Sequence, residues 1–142
     1  MNNIDEAKEI VNRLDQLSEL LASTEKMTIY HGFKGGAPMP FEEANNQLAQ
    51  INDVGSQIKE DLMQIGSPKD FENINNLCIT YVNRILENRR TLDEITDKLN
   101  QFSNGGKKYG FFKFRKDTKE WERNTKKLLN VHSNVHLFLR NK

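Results

Sequence analysis

From Phe71 to Phe102 apolar residues recur at alternating intervals of three and four, through Ile74, Cys78, Tyr81, Ile85, Leu92, Ile95 and Leu99, without a proline or glycine among them. That spacing sets every one of these side chains on a single stripe of an α-helix. A strand would send half of them to the opposite face. The one polar member is Asn88. A helix this long cannot leave such a stripe in water, so the rest of the chain has to supply its partners.

Three more stripes do so. Ile4, Ala7, Val11, Leu14, Leu17 and Leu21 predict a helix over 3–25. Phe41, Ala44, Leu48, Ile51, Gly55, Ile58, Leu62 and Ile65 predict one over 41–65, with a glycine at a seam position. The long stripe predicts a helix over 70–103. Trp121, Leu128, Val131, Val135 and Phe138 predict a last helix over 117–140, with Asp117 placed as its N-cap. Between them stand the breakers: Gly32, Gly35, Gly36, Pro38 and Pro40; then Gly66-Ser67-Pro68; then Ser103-Asn104-Gly105-Gly106. The expectation is an all-α fold, an antiparallel four-helix bundle of up-down-up-down order with coiled-coil-like seams, formed as one domain over residues 1–142. At 36 % hydrophobic and 8 % aromatic residues the chain is lean for an α/β core but ordinary for amphipathic helices.

This topology brings the first and third connections to one end. Tyr30, Lys34 and their glycines would then lie beside the segment from Gly105 to Lys116, which holds Lys107, Lys108, Tyr109, Phe111, Phe112, Lys113, Phe114 and Arg115. Within it Phe112-Lys113-Phe114-Arg115 alternates with period two, so a short extended ribbon is expected there. The formal net charge of +1 hides a split: residues 105–142 carry eleven Lys/Arg against Asp117, Glu120 and Glu122, 11 − 3 = +8, leaving 10 − 17 = −7 for the remainder. Clustered cations among exposed rings are a pattern of contact with an anionic partner. The same split is also met when a basic helix answers acidic neighbours across a seam.

Several chemistries are excluded by residue type and spacing. The single cysteine, Cys78, allows neither an intramolecular disulfide nor a Cys-based zinc site, and on an apolar stripe it reads as packing. Phe33-Lys34-Gly35-Gly36 lacks the spacing and the strand-loop-helix context of a phosphate-binding loop. His132 and His136 are four apart on one helix, a metal-compatible spacing, but a third ligand is missing from the sequence pattern, because His31 would lie ~24 Å away by helical rise. A di-iron Glu-x-x-His motif fails because position 129 is Leu. No metal or cofactor is therefore expected. Arg89-Arg90, Glu42-Glu43 and Glu60-Asp61 read as solvated charge, and Asn88 as a device that fixes register or oligomeric state.

The acidic N-terminus and the absence of long apolar runs predict a cytoplasmic protein. With no catalytic constellation, the expected function is that of a non-enzymatic interaction protein, an inhibitor, adaptor or assembly factor. It would bind another protein through Tyr30, Lys34, Lys107, Lys108, Tyr109, Phe111, Phe112, Lys113, Phe114, Arg115 and Lys116. The alternatives for the same residues are an anion binder taking nucleic acid or a nucleotide, and an anionic membrane surface binder. The third helix exceeds the second by about a heptad, and covering Leu92 to Phe102 gives a reason to expect a homodimer.

Overall fold

The computed structural model describes residues 3–30, 39–65, 72–103, 105 and 108–141. Four helices, α1 (Asn3–Glu25), α2 (Phe41–Ile65), α3 (Glu72–Ser103) and α4 (Phe111–Arg140), pack into an antiparallel bundle, and no strand occurs among the described residues. The stripes become the core. Val11, Leu14 and Leu21 of α1, Leu48, Ile51, Ile58 and Leu62 of α2, Ile74, Tyr81, Ile85, Leu92 and Ile95 of α3, and Trp121, Leu128 and Val135 of α4 are buried in one cluster. Among the described residues no helix is long and apolar enough to cross a membrane.

The helices are not equivalent in their packing. α3 lies against all three others, whereas α1 and α4 meet only lightly, and this opens a groove between them. Polar links fix the register. Tyr81 of α3 stands level with Asp15 and Ser18 of α1, Arg89 Nε donates to the Leu48 carbonyl of α2 (3.1 Å), and Asn124 of α4 donates to Thr91 of α3 (3.1 Å). Arg89 thus ties two helices together while Arg90 is exposed, so the doublet is not simply solvated charge. Gly55 sits where α2 and α3 approach closely: a Cβ there would stand 2.9 Å from Leu86 Cδ2. Gly105 adopts φ +76° after α3, the left-handed turn expected of a helix terminator.

Three expectations are corrected. The last helix begins at Phe111, two turns before the predicted 117, and Asp117 is a buried residue inside it rather than its cap. The N-cap is Gly110, which offers no side-chain hydrogen bond. The period-two ribbon is absent because Phe114, Thr118 and Trp121 extend the α4 seam at intervals of four and three, and burial of Phe114 outweighs local alternation. After Glu25 the chain continues as a π-helical turn over Lys26–Tyr30, where a loop from Met27 was expected. Thr28 and Ile29 are buried there, and the Thr28 hydroxyl donates to the Thr24 carbonyl (2.8 Å), a back-bond that distorts helices. Toward the end of α3, Leu92 and Ile95 are buried in the same core cluster that takes in Phe114 and, at its edge, Tyr109. Phe102 remains exposed.

Candidate functional site

Two places concentrate chemistry, one at each end of α4. At its N-terminal end the predicted binding residues divide. Phe114 is buried and Tyr109 half-buried, their rings edge-to-face at 5.5 Å, while Phe111 and Phe112 are 65 % and 87 % exposed. Lys108, Lys113, Arg115 and Lys116 are exposed around that pair. Lys34 and Lys107 lie outside the described residues, as does His31. Tyr30 ends the π-helical turn, exposed, at the same end of the bundle. By the register of Asp15 with Tyr81 and of Asp117 with Lys98 it stops roughly 14 Å short of Phe111 along the bundle axis. Tyr30 and Phe111 are therefore staggered along the axis rather than level.

What holds this end is Asp117. Its carboxylate accepts from the Tyr109 hydroxyl (2.6 Å) and Lys98 Nζ (2.9 Å), and Lys113 Nζ lies 3.4 Å away. Burial by itself pushes this carboxyl up, but the two hydrogen bonds and the charges of Lys98 and Lys113 outweigh it and hold it below the usual aspartate range. Burial and the same carboxylate raise the Tyr109 phenol, so it stays a donor. Lys98 Nζ also lies 5.7 Å from the Tyr109 ring centroid. The interhelical lysine–aspartate pair therefore runs from α3 to α4, opposite to the direction expected of a basic last helix. Lys116, Lys119, Arg123, Lys126 and Lys127 face solvent.

Toward the other end of α4, the structure supplies a third partner for the two histidines. Asp15 of α1 lies with His136 Nε2 at 2.8 Å from Oδ2 and His132 Nε2 at 3.4 Å from Oδ1. Tyr81 of α3 donates its hydroxyl to Asp15 Oδ1 (2.7 Å), and Ser18 lies 3.0 Å from that hydroxyl. Since the phenol proton points to the carboxylate, Ser18 is the donor to Tyr81. The Tyr81 and His132 rings meet edge-to-face at 5.9 Å, and the imidazole centroids are 4.3 Å apart. Burial foremost raises the Tyr81 phenol. Of these residues, sequence reasoning singled out the histidines and placed Tyr81 in the core, but gave Asp15 no role. Pairing α1 against α4 by antiparallel register is the signal that would have found it.

Between the two places runs a groove of about 320 Å³, lined by Leu21 and Ala22 of α1, Trp121, Leu128 and His132 of α4, and Asn88 of α3. Asn88 is 1 % exposed, and among the described residues neither its amide nitrogen nor its oxygen has a hydrogen-bond partner. Cys78 is buried, and burial pushes its thiol up to about 12, which leaves it unreactive at neutral pH. No family model, curated protein or solved structure matches the chain.

Proposed function

We propose that the chain is a non-enzymatic interaction protein whose docking surface is the basic, aromatic N-terminal end of α4, and that its partner is a protein presenting an acidic rim around an apolar pocket. The observation that carries this reading is the outward pair Phe111 and Phe112, ringed by exposed Lys108, Lys113, Arg115 and Lys116. Two adjacent rings in water are a cost, and an apolar patch rimmed by charge commonly marks a contact site. Positive side chains in the first turns of a helix also oppose its dipole, and the first turn of α4 contains no acidic residue and no side-chain cap. Both penalties are relieved by an anionic surface that accepts the two rings.

The test is residue-specific cross-linking in the source cell with benzoylphenylalanine at position 112, against the same group at exposed Asp53. One discrete protein adduct at 112, abolished by changing Lys108, Lys113, Arg115 and Lys116 to Glu, supports the reading; labelling equal to that at 53 ends it. A membrane surface is the second reading, favoured by the 87 % exposure of Phe112. It requires flotation with vesicles containing phosphatidylserine, lost in Phe111→Ser/Phe112→Ser.

A further inference from the structure

The other end of α4 carries a separate feature, and its argument shares no residue with the docking surface. We infer that Asp15, His132 and His136 form a binding site for one first-row divalent transition-metal ion, zinc foremost. One carboxylate oxygen and two imidazole nitrogens converge within 4.8 Å of one another. Two nitrogens and an oxygen, with a fourth position for water, are a donor set that zinc commonly takes. His132 and His136 lie one turn apart on one face of α4, the spacing with which a helix chelates a metal. In a tetrahedral site with bonds of ~2.05 Å, ligand atoms stand roughly 3.3 Å apart. His132 Nε2 and Asp15 Oδ1 are 3.4 Å apart. His136 Nε2 and Oδ2 are 2.8 Å apart, so a widening of about half an ångström on that side admits the ion.

A hydrogen-bonded histidine–aspartate pair accounts for only one of the imidazoles. His136 donates to Oδ2, while Oδ1 already accepts the Tyr81 hydroxyl, and His132 Nε2 stands beyond good hydrogen-bond length from it. The two imidazoles lie side by side, centroids 4.3 Å apart, facing one and the same carboxylate. A shared dication uses the lone pairs of all three groups. The carboxylate is also oriented in advance, because buried Tyr81 donates to it and Ser18 donates to Tyr81. Such outer partners are what metal-binding carboxylates and histidines characteristically have. Lys8 and Arg140 line the shallow groove beside His136, and Glu19 the groove beside His132. The two basic side chains oppose a dication and the one carboxylate favours it. Mg²⁺ and Ca²⁺, which ask for oxygen-rich sites, are not held.

The experiment is calorimetric titration of the full chain with ZnCl₂, and visible absorption with CoCl₂ as a spectroscopic probe. One ion per chain is expected, with a cobalt spectrum of nitrogen and oxygen ligation. Asp15→Asn, His132→Gln and His136→Gln each weaken binding more than about 10-fold, Tyr81→Phe about 10-fold, and His31→Ala not at all. Circular dichroism confirms that each variant is folded, and Asp15→Asn, nearly the same shape as the native residue, keeps the test open if a histidine variant unfolds. Absence of saturable binding overturns the site, as does zinc affinity that survives Asp15→Asn, falls with His31→Ala, or is matched by MgCl₂.

Discussion

Asp117 and Asp15 are two carboxylates in one bundle, each accepting a tyrosine hydroxyl from within the fold, and they differ in what completes their shell. Around Asp117 stand the amino groups of two lysines, Lys98 and Lys113. Around Asp15 stand two imidazoles whose lone pairs can take a proton or a metal. Lysines make a clamp: Asp117 joins α3 to α4 and holds the Tyr109 hydroxyl, while Phe111 and Phe112 are the outward rings. Imidazoles make an adjustable site. The lesson is that a tyrosine–aspartate pair by itself says nothing of function; whether the remaining partners are ammonium groups or imidazoles with lone pairs decides.

The comparison breaks most visibly at Phe114, the ring that the clamp folds under. Phe114→Ala should cost about 3–5 kcal/mol in chemical denaturation, as expected for truncating a buried aromatic. Next is the clamp itself. Asp117→Asn should lose about 2 kcal/mol at neutral pH, since two lysines are left facing a neutral amide. Its pH profile carries the sign: the folded carboxyl titrates below its ordinary value, so the native contribution is full above about pH 4 and disappears as the pH falls through the depressed value. In the Asn variant that share of the acid loss is missing, and thermal melts from pH 6 down to pH 2 measure it.

Tyr81→Phe probes the other carboxylate. Removing a hydrogen bond to a charged acceptor should cost about 1.5 kcal/mol, and the loss should shrink when zinc is present if the ion takes over the orienting role. Asn88→Leu lies between the two sites and should raise stability by about 1 kcal/mol, because it replaces a buried amide lacking partners with an apolar side chain. Phe112→Ser should change stability by less than about 0.5 kcal/mol, since that ring faces solvent. A large effect there would show that the outward pair packs on something within the chain.

Much of the fold was legible because it rests on a local rule. The seam positions Ala7, Val11, Leu14, Leu17 and Leu21, or Leu48, Ile51, Ile58 and Leu62, are buried as their spacing required, and antiparallel order is what four such helices with two long connections and one short one suggest. The start of α4 was misread where two periodicities competed over the same residues. Phe112-Lys113-Phe114-Arg115 satisfies period two locally, and only the distant Thr118 and Trp121 reveal that Phe114 belongs to the helical series. The π-helical turn after Glu25 escaped notice for a similar reason: Thr28 and Ile29 are turned inward by the helices they meet, a contact that breaker counting does not see.

The division follows from range. Along one helix, which faces are greasy and which are wet depends on neighbours three and four residues away, and the order of amino acids states that directly. Asp15 and His136 are 121 positions apart, and Lys98 and Asp117 belong to different helices. Their meetings depend on how far each helix slides along the next, a quantity set by side-chain packing across the seams. The stripes alone determined that a bundle forms with a basic, ring-bearing end. Only its assembly in three dimensions decided which rings face water and which carboxylate receives the histidines.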